Sequence, residues 1–213
     1  MRTFKVLAAL LTYPEADHKA AADDLAAAVE VEPALVTPHR EVVLRFIDEI
    51  KKADLLDLQE RYVGLFDRSR SLSLHLFEHV HGESRDRGQA MVNLRALYER
   101  HGLSTTTREL PDFLPLFLEF LSVLPADEAR GHLAEAAHIV AALWERMARH
   151  DAGYAGVLRA VASLVDAPDR QAIEAVKTAA EAASLDDAAP DATWAEAPVT
   201  FGPGCATGGR AGL

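Results

Sequence analysis

An all-α fold, a single-domain bundle of about seven to nine helices with a flexible C-terminal tail, is predicted by three features of this chain. Apolar residues recur at three- and four-residue steps almost throughout, and no stretch sustains the alternation of a half-buried strand. Ala and Leu dominate the apolar set while aromatics make up 7%, which favours helix over strand. At 213 residues, 49% hydrophobic and 26% charged, the chain matches one soluble globular domain. A domain of that size hides roughly 70% of its unfolded surface and needs no staples.

The elements follow in order. Phe4, Leu7, Ala8, Leu10 and Leu11 form the first apolar stripe, closed by Pro14. A second helix is expected from about His18 to Val31, where Ala22, Leu25, Ala26 and Val29 share a face and Pro33 stops it. Thr37-Pro38 opens a third, a cap residue followed by a first-turn proline, with Val42, Val43, Phe46, Ile47 and Ile50 inside. Asp54 caps the next, carrying Leu55, Leu58, Tyr62, Leu65 and Phe66. Gly88 to Arg100 is helical and ends at Gly102, placed as a left-handed C-terminal cap. Pro111-Asp112 starts an apolar helix with Phe113, Leu116, Phe117, Phe120, Leu121 and Leu124, in which Pro115 falls in the first turn. Pro125 begins another, acidic at its start and basic at Arg146, Arg149 and His150, as the helix dipole favours. Weaker helices follow near Tyr154–Leu164 and Pro168–Ala182.

From Ser184 the composition shifts to Gly and Pro, dividing a helical domain, 1–183, from a tail, 184–213. Trp194, Val199 and Phe201 make an apolar island in that tail, which could fold back as a self-ligand. The net charge of −11 argues against nucleic-acid binding and suits a cationic or arginine-bearing partner. A lone cysteine, Cys205, excludes an internal disulfide or a cysteine-based metal cage. The apolar run Val6–Leu11 is far short of a membrane span or a signal-peptide core, so a cytoplasmic protein is expected.

Residues 61–87 carry most of the chemistry. They hold His75, His79 and His81, five arginines (Arg61, Arg68, Arg70, Arg85, Arg87) and four acids (Asp67, Glu78, Glu83, Asp86) beside Leu72, Leu74, Leu76 and Phe77. Such mixed charge over apolar residues describes an ordered polar network that recognises something. A metal-dependent helical enzyme is the alternative: His75 and His79 lie one turn apart, and His81 and Glu83 follow. Against it, the metalloprotease pattern needs Glu directly after the first His, where Leu76 stands, and Gly82 breaks the helix. Ser84 near Asp86 and His81 has no glycine elbow, and neither a P-loop nor a dinucleotide fingerprint is present. Residue patterns alone give no catalytic residues.

Three stretches carry a resemblance: Tyr62-x3-Phe66-Asp67-Arg68, then Leu72 through His79-Val80-His81-Gly82-Glu83-Ser84 to Met91, and Glu109 through Pro111-Asp112 to Phe120. Together with Glu196–Gly202 they resemble the NarJ family, the assembly chaperones of respiratory nitrate reductase, over about residues 4–202. Related redox-enzyme chaperones share a Tyr-x2-Leu-Phe element, here Tyr62 to Phe66, and a Pro-Asp-His element in which Phe113 replaces the histidine. The resemblance implies a cytoplasmic, non-catalytic, all-helical protein without a permanent cofactor. It implies binding of the N-terminal segment of the nitrate reductase alpha subunit, and an apoenzyme kept competent for molybdenum cofactor insertion before membrane docking. Molybdenum cofactor biosynthesis proteins are further candidate partners. A structural subunit of a membrane oxidoreductase is a third class.

The candidate peptide-binding set is Tyr62, Phe66, Leu74, His75, Phe77, Glu78, His79, His81, Glu83, Ser84, Arg85, Asp86, Arg87, Pro111 and Asp112. Tyr62, Phe66, Leu74 and Phe77 are expected to floor a groove for an amphipathic basic helix, with Glu78, Glu83, Asp86 and Asp112 as rim carboxylates. His75, His79 and His81 would make affinity change between about pH 6 and pH 8.

Overall fold

A computed structural model describes residues 1–81, 85–104 and 109–187, with the backbone alone described at 81, 85 and 180–187. Eleven α-helices lie among the described residues: α1 (Arg2–Leu11), α2 (Ala16–Ala20), α3 (Ala22–Val31), α4 (Thr37–Lys52), α5 (Leu55–Tyr62), α6 (Glu78–His81), α7 (Arg85–Arg100), α8 (Leu114–Val123), α9 (Ala126–Met147), α10 (Ala152–Ala162) and α11 (Arg170–Asp187). No strand occurs among them; the sheet-like feature is one antiparallel bridge, His75 to Phe113. The all-α class is as the periodicity requires.

The count exceeds seven to nine for two reasons. The expected helix at 18–31 is cut at Ala21, whose ψ of 3° ends α2 and starts α3. The Lys19 ammonium donates to the Ala53 carbonyl, and Gln59 donates to Pro14 O, so α2 is tied to the α4–α5 corner rather than continuing α3. The second addition is the one-turn α6, which no periodicity announces. Farther along, α11 carries the backbone helix through Asp187, past the expected boundary at 183/184. The apolar island Trp194–Phe201 lies outside the described residues.

α1 is the central rod: Phe4, Leu7, Ala8 and Leu11 have no exposed surface, and it packs against α8, α3 and α10. Each such Leu or Phe contributes on the order of 2 kcal/mol by leaving water. Its first turn is held by Glu32, whose carboxylate accepts from Arg2 N (3.2 Å) and Thr3 N (2.6 Å), orphan donors at a positive helix end. α10 wedges between α9 and α4, and α11 lies along α9. Lys177 and Arg170 reach Glu145 at 2.5 and 2.8 Å, pinning α11 there. α7 ends as expected at Gly102 (φ +74°). Leu103 N donates to Tyr98 O and Gly102 N to Glu99 O, both at 3.0 Å, which satisfies the last carbonyls.

Candidate functional site

The polar segment lies on the bundle between α9 and α11. After Tyr62 the chain leaves α5 through a π-helical turn, Val63–Asp67, then a 3-10 turn, Arg70–Leu72, that packs on α9 and α11. At this wide turn Tyr62 and Phe66, four residues apart, meet as tilted rings with centroids 4.7 Å apart, and both reach Tyr154, at 6.2 and 5.0 Å. Tyr62 donates its hydroxyl to Leu11 O (3.1 Å), and burial pushes its pKa above the usual phenol range. Arg61 beside it makes a forked pair with Asp151 (2.5 and 2.8 Å) and a third bond to Glu49 (2.5 Å). This clamp joins α5, α4 and the start of α10.

Residues 74–76 run antiparallel to 112–114. Leu76 N donates to Asp112 O (3.0 Å) and Leu114 N to Leu74 O (2.9 Å). Asp112 has no exposed surface, and its carboxylate works across this bridge: Oδ2 accepts from Phe77 N (3.0 Å), and Oδ1 faces His75 Nδ1 (3.2 Å). It thus satisfies an amide just ahead of α6, as a capping side chain does, but from 35 residues away. The expected rim role of Asp112 is corrected accordingly: it is a buried cross-brace. Pro111 accepts at its carbonyl from the Tyr98 hydroxyl (2.7 Å), anchoring the same segment to α7.

The two histidine side chains described within residues 61–87 have opposite environments. The hydrogen bond to Asp112 raises the pKa of His75 against the opposing effect of burial, and its ring lies 5.3 Å from that of Phe113. His79 is buried, donates Nε2–H to Ser73 O (2.8 Å) and accepts at Nδ1 from Arg146 (3.2 Å). Burial first, and the Arg146 charge second, depress its pKa to about 4. His79 is therefore neutral at physiological pH and cannot contribute to a switch between pH 6 and 8. Both its ring nitrogens are engaged, which removes it from the His75/His79/His81/Glu83 set of the alternative metal reading.

Tyr62, Phe66 and Leu74 are 5%, 7% and 2% exposed and belong to the core, so they underlie the surface rather than line an open floor. Phe77 is half-buried. Glu78 pairs with Arg87 (3.1 Å), and Asp86 is exposed at the start of α7. Glu83 and Ser84, and the side chains of His81 and Arg85, lie outside the described residues. Exposed apolar residues add to the segment's surface: Val80 on α6 and Leu110 just ahead of the bridge. Sequence reasoning missed Arg146 and Ser73. Arg146 was legible in principle, as a cation between Leu143 and Met147 on the buried face of α9. The described segment presents carboxylates and apolar side chains around a braced backbone, an arrangement suited to binding.

The pattern of the nitrate reductase delta subunit family matches residues 9–160. The nitrate reductase molybdenum cofactor assembly chaperone NarJ of Escherichia coli K12 is 41% identical over 92% of this chain and 83% of its own length. The probable chaperone NarW of the same strain is 39% identical over 94% of this chain and 84% of its own. The probable NarJ of Bacillus subtilis 168 is 31% identical over 81% and 93%. All three relatives are named as molybdenum cofactor assembly chaperones. With a family pattern across most of its helices and that identity along nearly its whole length, the chain belongs to the nitrate reductase delta subunit family.

Proposed function

We propose that this protein is a system-specific chaperone that binds the N-terminal segment of the nitrate reductase alpha subunit in the cytoplasm. It keeps the apoenzyme competent for molybdenum cofactor insertion until the catalytic pair docks at the membrane. The observation that carries the reading is the brace by which buried Asp112 ties residues 75–77, at the start of the acid-bearing segment, to the bundle core, in a chain 41% identical to a named assembly chaperone. Among the described residues no helix is long and apolar enough to cross a membrane.

The ligand that fits is a short amphipathic helix with basic residues. Phe77, Val80 and Leu110 offer apolar contact, Glu78 and Asp86 offer carboxylates, and His75 borders them, with Glu83 a further carboxylate that the sequence alone nominates. Tyr62, Phe66, Leu74, His79 and Asp112 hold that surface from beneath. Calorimetry of the full chain against a synthetic peptide of the alpha subunit's first fifteen or so residues tests this (about the length of a marginal isolated helix). Saturable one-to-one binding, weakened by Glu78→Gln with Asp86→Asn at low salt, is expected. Absence of binding, together with normal molybdenum loading of nitrate reductase in cells lacking the gene, overturns it.

A further inference from the structure

A group that the sequence leaves scattered meets at the opposite end of α7. His101 stands in the turn after that helix, and Glu128 and His132 lie one turn apart at the start of α9. One ring nitrogen of each histidine and a carboxylate oxygen of Glu128 all lie within 4.8 Å of one another. His101 Nε2 is 3.4 Å from Glu128 Oε1. Two donors on a tetrahedral ion with bonds of about 2.0–2.1 Å are separated by about 3.4 Å. That pair already stands at the edge length of such a site.

The donors are set on a firm base. Both imidazoles rest against the ring of Phe120, at 5.5 Å for His101 and 6.0 Å for His132. Phe120 is buried, and its ring packs at a tilt against that of Tyr98 with centroids 4.6 Å apart. The left-handed Gly102 turn fixes the backbone beside His101, and the helical i, i+4 spacing fixes Glu128 relative to His132. The flanking charges are Glu135, 4.0 Å from His132 Nδ1, and the Asp127–Arg130 pair. The site carries net negative charge and is open to solvent.

We infer that His101, Glu128 and His132 form a binding site for a borderline divalent ion of the zinc, nickel or cobalt kind, with water in the remaining position. Two imidazoles and one carboxylate suit these ions. Calcium and magnesium want more oxygen ligands than the group offers. A bound ion ties the end of α7 to the start of α9 and thereby fixes the far end of the helix whose first turn carries Asp86 and Arg87. The inference does not depend on the peptide-binding proposal.

Calorimetric titration of the full chain with Zn2+ near pH 7.5 tests it, with thermal melting and far-UV circular dichroism in parallel. One ion per chain is expected, with a rise in melting temperature. His101→Asn, His132→Asn and Glu128→Gln should each weaken that binding at least tenfold while the dichroism spectrum is unchanged. Glu128 is exposed, so its variant folds even if a histidine variant loses packing on Phe120. No Zn2+ binding by the wild-type chain, or a loss of less than tenfold in the Glu128 variant, overturns the site and leaves His101–Glu128 as a plain side-chain contact.

Discussion

His75 and His79 lie one helical turn apart in sequence, and the fold turns their protonation into opposite contributions to stability. The folded pKa of His75 is raised by Asp112. Its contribution is therefore complete below the unfolded value near 6.5 and is lost as pH rises through the folded one. His79 is held neutral with a folded pKa of about 4. Between about pH 6.5 and 4 the unfolded chain takes up a proton that the native site refuses, so stability falls as pH is lowered through that window. The difference is on the order of 3 kcal/mol at most. Urea midpoints from pH 7 to 4.5 should thus fall less steeply for His79→Asn than for the wild type. From pH 6 to 8.5, His75→Gln should remove a loss of on the order of 1 kcal/mol that the wild type shows. Equal slopes for wild type and both variants would contradict these environments. Asp112→Ala should cost more than either, about 1–3 kcal/mol for each donor it abandons, because Phe77 N and the His75 ring both lose their acceptor.

Among the elements, the contact of α10 with α4 is the least forgiving. A Cβ on Gly156 would stand 2.2 Å from Val42 Cγ1, and one on Gly153 would stand 2.5 Å from the Phe46 ring. Gly→Ala within a helix ordinarily gains about 1 kcal/mol. Here the two backbones approach too closely, and a helical Val has essentially one χ1 rotamer with which to retreat. Gly156→Ala should therefore destabilise by about 1–3 kcal/mol. Val42→Ala combined with Gly156→Ala should recover much of that loss, giving a coupling that chemical denaturation of the four proteins measures. Neither glycine could be weighed from sequence, since the partner lies on another helix. Pro14, Pro33, Asp54, Gly102 and Pro125 marked their boundaries because each acts on its own backbone. Asp54 accepts from Leu56 N at 2.8 Å, and Pro115 indeed falls in the first turn of α8. The break at Ala21, the π-helical turn after Tyr62 and the bridge from residues 74–76 to 112–114 were illegible, because their causes are tertiary. The candidate site divides the same way. Residue density nominated residues 61–87 and the family resemblance added Pro111 and Asp112, but the inward turn of Asp112 and the Arg146–His79 contact required the fold.

For the whole molecule the governing quantity is the net charge of −11. A peptide carrying several positive charges is attracted from well beyond contact when ionic strength is near 10 mM, where the screening length is about 30 Å. At 0.15 M that length falls to about 8 Å, and little of the protein beyond the docking surface is still felt. Association should accordingly slow by about tenfold or more between those conditions. Dissociation, which the proposed docking surface assigns to apolar contacts at Phe77, Val80 and Leu110, should change far less. Charge far from the segment should then matter at low salt: Asp23 and Asp48, exposed on α3 and α4, lie outside the proposed docking surface but within the field of the molecule. Replacing both with their amides should lower the low-salt association rate slightly and leave the rate at 0.15 M unchanged. Replacing Glu78 and Asp86 should lower affinity at both. Stopped-flow fluorescence with a labelled alpha-subunit peptide separates the two effects. Salt-independent association would mean that the acidity of this chain plays no part in the proposed peptide capture and that docking rests on the apolar contacts alone.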